Sequence, residues 1–167
     1  MVKGKNLWTC PRCKRQFERR GQSHSCRVYQ LHLYFKEKPA GRLLYNTFKK
    51  AVKEQAGFFK TESLECCIHF VSTFTFAAVK VMKDKIRVSF TLGREIKSNR
   101  IYDRVQTSAG CYLYAVDICS DKEIDSMLMK WIQAAFERKQ VKAPAKHHLK
   151  NKKYGKQTFL PKLQHAN

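Results

Sequence analysis

Acidic side chains are scarce in this chain. Thirteen Asp and Glu stand against 34 Lys and Arg, leaving a formal net charge of +21 over 167 residues. That imbalance argues for an anionic partner, nucleic acid first and an anionic membrane surface second. The deficit of acid is uneven. Residues 141–167 carry seven lysines and no acid, and residues 1–40 carry ten basic groups against two acidic ones. Residues 41–120 hold thirteen against seven, and 121–140 balance at four each. Positive charge gathers at both ends, around a more ordinary middle.

Long apolar runs are missing too. Stretches such as "FTFAAVKVM" are far too short to span a bilayer, so no transmembrane association is expected. The opening "MVKGKNLWT" has charge but no apolar h-region, so no secretory leader is expected. Neither a Gly-rich phosphate loop nor H-E-x-x-H, G-x-S-x-G or a paired-carboxylate signature occurs, and no residue is assigned a catalytic role. An odd number of cysteines, seven, with a tight C-x2-C pair, fits a cytoplasmic protein better than a disulfide framework.

Cysteine is concentrated at the head of the chain. "WTCPRCKRQFERRGQSHSC", residues 8–26, holds three of the seven cysteines and one of the six histidines. Two residues between Cys10 and Cys13 let the chain turn so that both sulfurs face one tetrahedral ion. His24 and Cys26, two apart, point the same way where the backbone is extended. The spacing C-x2-C-x10-H-x-C is a complete structural zinc set, with His32 as an alternative to His24 for the fourth ligand. Trp8 and Phe17 flank the knuckle and can form the few-residue core that such a module needs. Four protein ligands leave no open position for water, so Zn2+ here would supply folding energy and not Lewis acidity. Unconnected buried thiols are a competing reading. So is a thioredoxin-like dithiol, although that motif opens a helix after a buried strand and "CPRC" follows only nine residues.

The remainder reads as a small α+β domain. "RLLYNTFKKAVKEQAG" is helical, with Leu44, Phe48, Ala51, Val52 and Gln55 on one face and Gly57 past its end. Pro39 stands just before it. From residue 61 the period changes to that of strands. Cys66, Ile68 and Phe70 share one face, and Cys67, His69 and Val71 the other, which would keep Cys66 and Cys67 from chelating together. Phe74 and Phe76 are out of phase with Val79 and Val81, so a bulge is expected near Ala77-Ala78. "IRVSFTL" alternates cleanly after the short turn "KDK". "GREIKSNRIYDRVQTSAG" reads as a polar connection, and "CYLYAVDI" as a further strand. Ser120 and Glu123 have capping-box spacing at the start of a last helix. Its apolar face is Ile124, Met127, Leu128, Trp131 and Ala135, widened by Ile132 and Phe136. The expected architecture is an antiparallel sheet packed by two main helices. The zinc module takes residues 1–30, the α+β domain 31–140, and a flexible basic tail 141–167.

These residues bear a family resemblance. Trp8, Cys10, Pro11, Cys13 and "SHSC" at 23–26 are similar to the head of an uncharacterised prokaryotic family, the domain of unknown function 5655, some of whose members are labelled predicted transport proteins. "FTFAAVKVMKDKIRVSFTL" resembles the family's middle. "VDICSDKEIDSMLMKWIQAAF" resembles its end, with Val116, Ser120, Glu123, Ile124, Asp125, Trp131 and Phe136 in matching places. The likeness spans about residues 7–138. Arg100 matches a recurring family arginine, whereas Tyr114 and Ala115 replace a common His-His pair, so no role of that pair carries over. The resemblance implies a fold and a metal site and names no activity.

Two functional readings lead. In the first, a zinc-containing, non-enzymatic protein contacts nucleic acid phosphates through Arg12, Lys14, Arg15, Arg19, Arg20 and Arg27 of the module and Lys150, Lys152 and Lys153 of the tail. In the second, Arg94, Arg100 and Arg104 with Tyr102, Tyr112 and Tyr114 form a pocket for a small ligand or a weak catalytic site. A third and plainer reading assigns the charge to solubility. His69 is read as a hydrogen-bonded strand residue, and Cys111 and Cys119 as small hydrophobes.

Overall fold

The computed structural model describes residues 7–17, 20–21, 24, 26–27 and 29–140. Arg19 and the basic stretch 141–167, with Lys150, Lys152 and Lys153, lie outside the described residues. The fold is α+β, as the periodicities predict. Two short strands come first, β1 (Trp8–Thr9) and β2 (Gln16–Phe17), then helices α1 (Leu31–Phe35) and α2 (Pro39–Ala56). Strands β3 (Lys60–Ser63), β4 (Ile68–Val71), β5 (Thr75–Val81), β6 (Ile86–Leu92), β7 (Ile101–Ser108) and β8 (Cys111–Ile118) follow, and α3 (Ser126–Lys139) comes after them. The last six strands form one antiparallel sheet in the order β3-β4-β5-β6-β8-β7.

Alternation decides which face of the sheet is covered. Ile86, Val88, Phe90 and Leu92 of β6 are buried, and so are Tyr114, Val116 and Ile118 of β8. The register sets Val88 opposite Val116 and Phe90 opposite Tyr114, so the apolar rows align across the strands. Helices α2 and α3 close this face with Phe48, Val52, Leu128, Ile132 and Ala135, all fully buried. Trp131 is core, stacked on Phe90 with centroids 6.1 Å apart.

Helix α2 is docked by its first turn. Pro39 is its first residue, not the one before it, where a missing N–H costs nothing. Gly41 is buried there against the β5–β6 hairpin, its N–H donating to Lys83 O at 3.3 Å, while Lys38 Nζ donates to Val81 O at 3.2 Å. Gly57 ends the helix at φ 85°, a conformation glycine adopts freely.

Other elements differ from the expectation. The bulge lies at Phe76, since Phe70 pairs with Ala77 and Val71 with Thr75. Phe76 and Ala77 are therefore both buried, although they are adjacent. Residues 101–108, read as part of a polar connection, form β7, an edge strand partly buried only at its start. Ser120 and Glu123 do form a capping box, but it closes a single 3-10 turn, and Asp125 caps α3 by accepting from Leu128 N at 2.9 Å. The α3 stripe is rotated accordingly, so Met129 is buried and Met127 exposed. On α2, Tyr45 is buried and Gln55 exposed.

The sheet's other face carries an ion cluster. Asp117 of β8 accepts from Arg87 Nε at 2.6 Å and from Lys85 Nζ at 2.7 Å. Arg87 in turn lies 3.5 Å over the Tyr102 ring. The Arg87 and Lys85 hydrogen bonds outweigh burial and hold the Asp117 carboxyl down at about 2, below its ordinary 3.8. A carboxyl depressed by folding adds stability that is fully present above the ordinary value and is lost as pH falls through the lowered one. Asp117→Asn is expected to cost about 1–2 kcal/mol at neutral pH. It should also flatten the stability curve between about pH 4 and pH 2, as read by urea denaturation at several pH values. An unchanged acid limb would contradict this.

Candidate metal centre

The knuckle is built by backbone hydrogen bonds. Lys14 N donates to Cys10 O and Cys10 N donates to Arg15 O, both at 2.9 Å. Lys14 takes φ 60°, a left-handed conformation that costs a residue with a Cβ of order 1 kcal/mol. This turn brings the Cys10 and Cys13 thiols to one side. His24 and Cys26 supply the other half, and the four ligand atoms lie within 4.8 Å of one another. Cys10 Sγ is 3.8 Å from Cys26 Sγ, while His24 Nε2 is 3.4 Å from Cys13 Sγ and 3.3 Å from Cys26 Sγ. A tetrahedral ion bonded to sulfur at ~2.3 Å and nitrogen at ~2.0 Å would set these pairs about 3.8 and 3.5 Å apart. The donor set fits a metal ion. His24 completes it; the alternative, His32, is exposed on α1 and is not in the cluster.

The surroundings favour thiolate at two of the three sulfurs. At Cys10 the dominant influence is the Cys13 backbone N–H, which lowers its pKa. At Cys13 burial pushes upward, but the Arg15 backbone N–H and side chain, with Cys10 and His24, outweigh it and bring the thiol to about 6. Cys26 is raised, by burial first and then by the two neighbouring sulfurs. Thiolate is the ligating form. Around the cluster, Phe17 packs on His24 at 4.2 Å and on Trp8 at 5.8 Å between centroids. These aromatics form the small core expected of a metal-stapled module.

The module rests against the sheet's β3 edge. Arg15 pairs with Glu62 at 3.6 Å, and Tyr29 N donates to Ser63 O at 3.2 Å. Between the module and the sheet face turned away from the helices is a cleft of about 900 Å³. Phe17 and Lys14 stand on its module side, and Lys60 and His69 on its sheet side. Ser72, Phe74 and Lys139 also line it. His69 is a partly buried strand residue as predicted, with Nδ1 3.4 Å from Thr75 Oγ1. Burial, and then the nearby Arg15 charge, keeps its pKa below the ordinary value.

Of the basic residues proposed for phosphate contact, Arg12, Lys14, Arg20 and Arg27 are exposed, whereas Arg15 is largely covered by its place against Glu62. The arginine and tyrosine set is divided. Tyr114 is in the core, accepting from Ile96 N at 2.8 Å and donating to Arg94 O at 3.2 Å. Tyr112 stacks beside it at 6.3 Å, and Arg104 is paired with Glu95. Tyr102 lies on the opposite face over Arg87. Arg100 clamps the start of α3, with Nη1 2.8 Å from both Asp125 oxygens and Nη2 2.5 Å from Glu123 O. None of the six lines the cleft.

Local pattern held no sign of the cleft, because its walls come from segments far apart along the chain. It also misplaced Cys66 and Cys67. They fall in the turn before β4, not in a strand, and their sulfurs are 3.0 Å apart. Cys111 accepts from Arg138 Nη1 at 3.2 Å, and Cys119 is exposed. Among the described residues, no helix is long and apolar enough to cross a membrane.

Fold and site together describe an α+β domain preceded by a Cys3His cluster that could hold a metal ion. Residues 32–139 match the family described as Domain of unknown function (DUF5655), and the chain belongs to that family. The matched region takes in both main helices and the whole six-stranded sheet, and the metal cluster lies ahead of it. No curated protein and no solved structure is detectably similar.

Proposed function

We propose that this chain is a zinc-stapled, non-enzymatic binding protein of the cytoplasm whose partner is nucleic acid, held through its phosphate backbone. Zn2+ is the ion that closed Cys3His sets take most readily, and here it has a structural role. In this reading residues 1–30 are the zinc module, 31–140 the family domain, and 141–167 a basic arm. The observation that carries the reading is the placement of charge. Arg12, Lys14, Arg20 and Arg27 lie exposed on a small module at one end of the chain. Seven lysines without an acid lie at the other end. Among the described residues, no helix of the module offers side chains to base edges, so backbone contacts should dominate and sequence preference should be weak.

The test is a titration of labelled duplex and single strands at several salt concentrations. Affinity should fall steeply with salt, with a slope of about 0.9 per neutralised phosphate on duplex DNA. Removing residues 141–167 should weaken every ligand alike, and neutralising Arg12, Lys14 and Arg20 should lower the slope further. Absence of binding at low salt would reduce the charge to a solubility feature.

A further inference from the structure

We propose that the cleft between the metal module and the outer face of β3–β5 is a nucleotide site, taking a phosphate on its lysines and a base against its aromatic walls. The inference deepens the nucleic-acid reading and rests on it for the class of partner. Four observations on separate elements converge. The cavity, about 900 Å³, is of a size that ligand sites reach. Lys14, Lys60 and Lys139 line it from the module, β3 and the end of α3, and none has a carboxylate within 4 Å among the described residues. Its one acidic lining residue, Glu62, is engaged by Arg15, so the lysines' charge is not cancelled. The Ser72 hydroxyl is buried with no hydrogen-bond partner, and Ser72 is among the residues lining the cleft. A buried hydroxyl without a partner is costly, and rotation of this side chain toward the cleft would let a phosphate or ribose oxygen satisfy it.

The remaining walls suit a base. Phe17 from the module and Phe74 from the turn before β5 are both among the cleft's lining residues, as are the polar His69 and Thr75. Aromatic faces stack any base, and the lysines provide point charges for phosphate, so recognition would tolerate sequence. Cys13 and His24 are themselves part of the wall, so the cleft exists only while the metal module is folded.

A free nucleotide and one nucleotide of a single strand share this chemistry, and the experiment separates them. Backbone amide NMR of the full zinc-loaded chain is followed during titration with adenosine 5′-monophosphate and, separately, with an eight-nucleotide single strand. Shifts gathered at Phe17, Lys60 and Ser72–Thr75 are expected. Shifts with the monophosphate alone would identify a free nucleotide as the occupant, and shifts with the strand would identify a nucleic-acid segment. Either outcome supports the site. The double variant Lys60→Ala/Lys139→Ala should weaken the responding ligand roughly tenfold or more, as loss of charge-assisted phosphate contacts does. Ser72→Ala, a smaller change, should weaken it less and leave the fold intact. The inference is overturned if neither ligand shifts cleft resonances, or if the double variant binds as tightly as wild type. Duplex binding measured on the same samples keeps the two proposals apart. A salt-dependent duplex complex without cleft shifts sinks only the nucleotide site, and cleft shifts without any duplex binding sink only the charge-driven reading.

Discussion

Metal analysis of protein purified without added metal is expected to return close to one equivalent of zinc per chain, and Cys13→Ser should lose it. The expectation follows from four ligand atoms gathered within 4.8 Å of one another, with Cys13 held at about 6 and therefore largely thiolate at neutral pH. Structural zinc sites in small peptides are worth about 10–16 kcal/mol in apparent binding energy, more than a module this small can supply from Trp8, Phe17 and His24 alone. Chelation should therefore unfold the knuckle. The family domain should survive, because the module adds only the partly buried Tyr29 to the margin of its core of Phe48, Val52, Phe90, Tyr114 and Leu128. Circular dichroism should keep most of its helix and sheet signal, while amides of residues 7–27 lose protection. Whole-chain unfolding on chelation would show one fused core, and a Cys10–Cys13 disulfide in the isolated protein would contradict the metal site.

Gly41→Ala should be among the most damaging single substitutions in the chain. On an exposed helix this change stabilises by up to about 1 kcal/mol. Here a Cβ would stand 2.0 Å from Met82 O and 3.0 Å from Val81 Cγ1. The obstacle is backbone in a tight hairpin, which has no rotamer to yield. The first turn of α2 would have to lift, breaking the Gly41 N–H bond to Lys83 O. Overpacking of this kind costs about 3 kcal/mol or more. For a domain of this size that corresponds to a melting temperature about 10 °C lower. Replacement of exposed Leu43 by Ala serves as the control and should change little. A Gly41→Ala protein as stable as wild type would show that the hairpin yields.

Legibility from sequence followed burial. Ile86–Leu92 could be read residue by residue because one face meets the helices and the other meets solvent. β7 could not, since residues 102–108 are exposed on both faces and an edge strand without a buried face has no period to detect. The bulge was visible as a phase error, and its position moved by a residue because two adjacent side chains, Phe76 and Ala77, are both buried. Ser120 and Glu123 had the right spacing for a cap and made one, but the chain turned again at Asp125 before α3 began. The metal set was legible from spacing, and the choice of His24 over His32 rested on where α1 starts. The cleft depends on how module and sheet are placed against each other, which local pattern does not encode.

That placement also bears on self-association. A sheet has two borders, and each offers unpaired amides and carbonyls to any passing strand. The β7 border is blunted by Asp103, Arg104 and Gln106 on its exposed surface. At the β3 border the Tyr29 amide takes up the Ser63 carbonyl and Arg15 reaches Glu62, so the knuckle acts as a cover. Stripping the ion would uncover a docking template for a second copy, and the apo protein would be the aggregating species while its own core was still intact.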